Sequence, residues 1–239
     1  MASISRGEDH APRTKQQVVY QSLRDAIMHC ELAPGQRITT DEMARRFSVS
    51  LIPVREALQQ LQAEGLVTTI PHTGTVVAPI SPQSITEIFI MLEGLELVAT
   101  RVAAERLTEE GEHALTRVLH QMDDALRAGR HDEWSDLNTR FHLSIARLTD
   151  MPMLRDMTAR VLSRWDRLRR YYFSGVLSHR MEQSQQEHWA LMRALHDRDY
   201  TQLERSVKIH NRGALAAYRE YIAIHPEASG NAESATRTA

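Results

Sequence analysis

The sequence predicts a mainly α-helical protein in two parts, an N-terminal winged helix-turn-helix and a C-terminal all-helical bundle. Three observations carry that expectation. Residues 13–79 hold three short helical patterns and then two β-branched runs around PHTG. Residues 84–222 are periodic at helical spacing and break only at short turns. Aromatics make up 5% of the chain, whereas Leu, Ala, Glu, Gln and Arg, all good helix formers, are plentiful. At 239 residues the chain is long enough for two modest domains.

The first helix is expected over residues 14–32, where Val18, Val19, Leu23, Ile27 and Cys30 recur on one face. On this reading Cys30, the only cysteine, is a small core residue. Pro34 and Gly35 then turn the chain. Thr40 reads as an N-cap, with Asp41 and Glu42 in a first turn where the helix dipole favours acids. The short helix to residue 47 ends at FSVS, and a third helix is expected over 52–64. After Gly65, LVTTI and TVVAPI flank PHTG and read as a hairpin.

This order of elements suits a helix that must fit a DNA major groove, with its early residues facing base edges and the hairpin as a wing. Arg55, one turn in, can reach a guanine or a phosphate. The alternative is a helical hairpin with a β-ribbon and no nucleic acid. It gains something from charge, because residues 1–80 hold eight Lys/Arg and eight Asp/Glu, too balanced for a tight nonspecific binder.

ISPQSITEI (80–88) reads as the linker, since Pro79 and Pro82 interrupt a helix. Helices are then expected at 84–105, 109–128, 131–149, 151–174, 181–198 and 200–222, with breaks such as Asp150–Pro152 and Ser174–Gly175. Residues 1–12 and 226–239 are polar and aperiodic, the composition of disordered tails. No apolar run approaches the ~18 to 20 residues of a membrane span, and the N-terminus lacks a signal peptide's apolar core. A lone cysteine excludes an internal disulfide. The expectation is a cytoplasmic protein without a membrane segment.

Three histidines of the bundle have unusual company. Asn138 and His142 stand one turn apart on one helix, His188 lies beside Trp189 on another, and His210 lies on the last. Imidazoles from three helices with an amide oxygen could close on one metal ion. Spacing alone leaves open whether those helices cross at the right place, and with twelve histidines in the chain most must be ordinary surface or capping residues.

LAPGQRITTDEMARRFSVSLIPVREALQQLQAEGLVTTIPHTGTVV resembles the DNA-binding domain of GntR-type regulators in its PG turn, VS turn, PVREAL, EGLV and wing glycine. The resemblance implies a DNA-facing set of Arg46, Ser50, Leu51 and Arg55, with His72, Thr73 and Gly74 at the wing tip. Leu51 and Ile52 stand where the family usually has Arg-Thr, and Asp41 where some relatives are basic. Leu51 and Ile52 can meet a thymine methyl or pack on the neighbouring helix. EIFIMLEGLELVATRVAAERLT, LNTRFHLSIARLTDMPML and SQQEHWALMRALHDRDYTQLERSVKIHN are similar to the FCD effector domain of the FadR-like branch. That similarity implies a divalent metal, Zn²⁺ with Ni²⁺ or Mn²⁺ as alternatives, on Asn138, His142, His188 and His210. Asn138 stands where aspartate is commonest. Leu92 stands where many relatives carry an arginine one turn before the glutamate matching Glu96. Glu96 and Arg164 are therefore the candidate effector contacts, while Arg167, Arg169 and Arg170 read as a solvated face or a dimer contact.

Two other functional classes compete. A metal-dependent hydrolase is disfavoured because no HExxH, Gly-rich phosphate loop or nucleophile elbow is present, and Glu187, directly before His188, would point off its face. A ligand-free DNA-architectural protein leaves the bundle's polar cluster unexplained. The sequence therefore reads as a ligand-responsive transcriptional regulator, a repressor binding double-stranded operator DNA as a homodimer. The resemblance implies a small organic acid, such as a carboxylate, as its effector.

Overall fold

A computed structural model describes residues 14–70, 74–172, 176 and 180–225. The chain divides into two compact units, residues 1–79 and 80–239. No helix of the described residues is long and apolar enough to cross a membrane.

The first unit begins with α1 (Lys15–Met28), opened by a capping box in which Thr14 and Gln17 satisfy each other's backbone N–H groups. Val19, Leu23 and Ile27 are buried, while Val18 is exposed. The helix ends four residues before the sequence pattern does. Cys30 has a left-handed backbone (φ 59°), and the turn is closed by the Cys30 N–H donating to Ile27 O and the Leu32 N–H to Ala26 O. Cys30 is thus a partly exposed turn residue, not the expected helical core residue. Its apolar spacing could not reveal that the chain reverses before Pro34.

A two-residue strand, β1 (Arg37–Ile38), follows. Sequence offered no sign of it, because two residues carry no period and the strand exists only by pairing. Thr39, one position earlier than expected, caps α2 (Thr40–Phe47). Ser48 takes the left-handed turn (φ 53°) into α3 (Leu51–Ala63). The wing is β2 (Val67–Ile70) and β3 (Gly74–Val77), antiparallel from Val67↔Val77 to Ile70↔Gly74, with β1 on the other side of β3. Val54, Ala57 and Leu61 of α3 pack with Leu23 and Ile27 of α1, and Ile38, Val67 and Val77 of the sheet join them. Burying each such aliphatic side chain contributes roughly 1.5–3 kcal/mol.

In the second unit the helix starts inside the expected linker. Ser81 caps α4 (Pro82–Arg106) in a capping box with Ser84, and Pro82 occupies the first helical position, where its missing N–H costs nothing. Next come α5 (Glu109–Arg127), α6 (His131–Leu148), α7 (Pro152–Tyr171), α8 (Met181–His196) and α9 (Tyr200–Ile224). The expected end of α7 at 174 and the Ser174–Gly175 break lie outside the described residues, as do the tails. Helix α4 packs along α9, α7 and α6, and α8 packs along α9 and α5. One apolar core of Leu, Ile, Ala, Phe and Trp side chains runs through all six.

Candidate functional site

On the first unit the site is a surface. Helix α3 buries Val54, Ala57, Leu58 and Leu61 and so turns Leu51, Ile52, Arg55 and Gln59 outward. Ile52 is 66% and Leu51 37% exposed, so most of the Ile52 side chain lies clear of the neighbouring helix. Arg46 and Arg55 are exposed. Ser50 occupies the N-cap of α3 without a side-chain capping bond, which leaves its hydroxyl available where a helix N-terminus favours phosphate. Gly74 opens β3 with φ 97°, a conformation that favours glycine. The Arg37 guanidinium lies beside it, a cation of the wing sheet that sequence reading missed because β1 was invisible. His72 and Thr73 lie outside the described residues.

On the second unit the site is interior. Helix α6 presents Asn138 and His142 inward, both 4% exposed. Helix α8 brings His188, fully buried, and α9 brings His210. One ring nitrogen of each histidine lies within 4.8 Å of the other two. That limit is somewhat wider than the span of one ion's bonds of about 2.1 Å. Phe141 and Trp134 pack against the His188 ring at 5.2 and 6.0 Å between centroids.

Two carboxylates hold the other histidines from behind. His142 Nδ1 is 2.9 Å from Glu96 Oε1, at ion-pair distance though off the line of a regular hydrogen bond. Glu96 Oε2 accepts from Asn211 Nδ2 at 2.7 Å. His210 Nδ1 is 2.8 Å from Glu187 Oε2. A carboxylate on Nδ1 fixes the tautomer and leaves Nε2 as the donor atom toward an ion. Burial alone would raise the Glu96 carboxyl, but His142, His210 and Asn211 outweigh it and hold it below the usual carboxylate range. Burial, then the charges of His210, His142 and Arg180, hold His188 well below the usual imidazole range. It is therefore a neutral ring with a free lone pair, the form that ligates metal.

The donor set fits a divalent ion. Both His188 ring nitrogens and Asn138 Oδ1 are buried without a hydrogen-bond partner. Buried polar atoms are rarely left so unless something else satisfies them. A cavity with a free volume of about 40 Å³ adjoins the histidines, lined among others by Leu92, Glu96, Asn138, Arg180, His210 and Tyr218. That is room for a few waters or one small molecule.

Several sequence-based assignments need correction. Arg164 is exposed and does not line this cavity. The buried stripe of α7 runs through Leu154, Thr158, Leu162, Trp165 and Arg169, and position 164 falls to one side of it. Conversely Arg167 and Arg169, read with Arg170 as a solvated face or a dimer contact, are buried within the bundle. Arg169 pairs with Asp132, Asp136 and Asp166 and lies over the Trp165 ring, so its charge enters the interior already compensated. Glu96 does line the cavity, yet both its oxygens face protein groups. Glu187 does not point away from the histidines; α9 packs beside α8 and places His210 against it. Arg180 and Asn211 carried no sequence signal, since their partners are distant in the chain.

Residues 87–213 match the FCD domain family, and residues 15–77 match the family described as bacterial regulatory proteins, gntR family. The chain is 31% identical over 194 residues to the HTH-type transcriptional repressor RspR of Escherichia coli (strain K12), covering 81% of this chain and 84% of that relative. It is 28% identical over 200 residues to the HTH-type transcriptional repressor GlaR of the same strain, covering 80% and 90%. Among solved structures, E. coli McbR/YncC matches 87% of this chain and 99% of its own at TM-score 0.70 and 23% identity, a likeness of fold.

Proposed function

From the premise that this chain belongs to the GntR family of bacterial regulatory proteins and carries an FCD domain, we propose that it is a repressor released from a pseudo-palindromic operator by a small organic acid. Its class is a DNA-binding transcriptional regulator, not an enzyme. The observation that carries the ligand-responsive part is the set of buried, unpartnered polar atoms on residues lining one small cavity, Asn138 Oδ1, Arg180 Nε and the Tyr218 hydroxyl, with both nitrogens of His188 unpartnered beside His142 and His210. A fold that merely scaffolded DNA binding would have no use for so many unsatisfied groups.

His142, His188 and His210 would hold one divalent metal with Asn138 beside them, zinc by the softness of imidazole, with nickel or manganese as alternatives. The ion would supply positive charge at the cavity wall. Glu96 and Glu187 would orient His142 and His210, and Phe141 and Trp134 would keep the His188 ring in place. On the DNA side Arg55, Leu51 and Ile52 would read base edges, while Arg46, Ser50, Gly74 and Arg37 would position the backbone.

The working form in this reading is a cytoplasmic homodimer. One recognition helix reads only a few base pairs, and two related by a dyad read a pseudo-palindrome. Exposed apolar side chains at Ile90 and Val98 of α4 and Ile209 of α9 support a partner surface on the second unit.

The test is a gel-shift titration on operator fragments selected from random DNA by the purified protein. A panel of small carboxylates is then added with and without zinc. Release of the operator by at least one acid is the expected result; operator affinity unmoved by every acid, metal-loaded or not, overturns the effector reading.

A further inference from the structure

Of the described residues that line the cavity, Arg180 alone is a lysine or arginine. It stands just before α8 and is only 8% exposed. One terminal nitrogen, Nη2, donates to Glu187 Oε1 and Oε2 at 3.1 and 2.9 Å and to the His210 carbonyl at 3.1 Å. Nε has no partner. Glu187, which compensates the Arg180 charge, also faces His210 Nδ1. A second donor faces the same cavity. The Tyr218 hydroxyl is buried without a partner, and burial raises its pKa, keeping it a neutral phenol. Two unsatisfied donors, one of them charged, call for an acceptor that brings negative charge.

The guanidinium has a built seat. A Cβ placed on Gly213 would stand 2.6 Å from Arg180 Nη2, 3.0 Å from Cζ and 3.1 Å from Nη1. The group therefore lies against the backbone of α9 in a space that a Cβ at position 213 would enter, so that any larger residue would push the guanidinium aside. Gly213 is in the interior of a 25-residue helix, where glycine weakens the helix relative to alanine. That weakness is offset by the position it gives the arginine.

We propose that Arg180, seated on Gly213, is the effector's anion-binding residue, and that the effector is a short-chain monocarboxylate whose head accepts from Arg180 Nε and the Tyr218 hydroxyl. The small free volume limits the chain to a few carbons, and Phe89, Leu92, Leu162, Trp165 and Val176 of the lining suit an apolar tail. This rests on the proposed effector role of the cavity, and it names the residue and the ligand class.

The experiment uses full-length protein, with acetate and propionate as probes and acetamide and propionamide as uncharged counterparts. Binding is followed by calorimetry, metal content by elemental analysis and folding by thermal melting. Wild type should bind the acids and discriminate against the amides. Gly213→Ala removes no polar group; it should stay folded and keep its metal, with melting lowered only as far as Arg180 Nη2 is pushed off Glu187 and the His210 carbonyl. Its carboxylate affinity should nevertheless fall about tenfold or more, the loss expected for a charged hydrogen bond. Arg180→Lys, which keeps the charge but not the planar fork, should lose much of the acid-over-amide preference. A purely structural Arg180 would move melting and metal content and leave acid-over-amide discrimination intact, which overturns the assignment. Equal acid binding by wild type and Gly213→Ala overturns it too, while leaving an acid-responsive cavity standing. Amides binding as well as acids, or no binding of either, overturns the carboxylate class; if other ligands still release the operator, the regulatory reading survives.

Discussion

The two units carry function in opposite ways. On the first, the candidate residues matter because nothing covers them: Arg55, Ile52 and Leu51 are turned outward by a helix whose other face is wholly buried. In the second, they matter because they are covered and left unsatisfied: His188, Asn138, Arg180 and Tyr218 are buried with polar atoms that meet no protein partner. A surface site costs its fold little, since substitutions there disturb no packing. An interior site strains its fold until a ligand arrives, because unpaired buried donors and acceptors each cost about 1–3 kcal/mol. Ligand binding should therefore stabilise the second unit, whereas DNA-face substitutions should leave melting alone.

The largest effect expected from that contrast is at His188. His188→Ala should abolish stoichiometric metal and remove the metal-dependent gain in stability, which is about 2.7 kcal/mol at a metal concentration 100-fold above Kd. Elemental analysis of protein purified without a histidine tag, with melting curves in metal and in chelator, reads both. Absence of bound metal in wild type together with unchanged melting of the variant would falsify the site.

Arg55→Ala comes next. Loss of a bidentate base contact should weaken operator binding by roughly 1–3 kcal/mol per half-site, with no change in melting temperature because Arg55 is exposed. If operator affinity holds in a gel-shift titration, the recognition helix has been misassigned. If affinity and melting fall together, the separation of surface and interior roles fails at this position.

Glu187→Gln should have the smallest effect and sharpens the interior half of the comparison. It keeps the shape but removes the charge behind His210 Nδ1. Loss of such an orienting carboxylate typically lowers metal affinity about 10–100-fold. Competition with a chelator of known strength measures it. Wild-type affinity in the variant would make Glu187 a partner of Arg180 alone.

How far these roles were legible in sequence depended on the distance between the residues involved. Helix α3 and the hairpin after it were readable because their signals are local: the VS turn, the PVREAL start, the Gly65 stop and the β-branched runs sit within 30 consecutive positions or so. The helices of the bundle were readable for the same reason, their breaks marked by Gly, Asp and Pro. Asn138 and His142 form a pair by helical period alone. Cys30 misled because a left-handed turn preserves apolar spacing for a few residues after the helix has ended. Arg164 misled because the buried stripe of α7 includes Arg169, paired with Asp132 and Asp136 of α6 and Asp166 of its own helix, so hydrophobicity alone put the helix's face in the wrong place.

By itself, then, the sequence determined the helices and the hairpin, their order, the exposed face of α3 and the three histidines, since each of these follows from periodicity, turn residues or caps within one or two turns. Only the tertiary structure decided that α6, α8 and α9 cross at one point, that Glu187 backs His210, that β1 completes the wing sheet and that Arg180 rests on Gly213. Those are contacts between residues 23 to 39 positions apart or more, and no local preference encodes them. They are fixed by which apolar faces can be buried against one another at the same time.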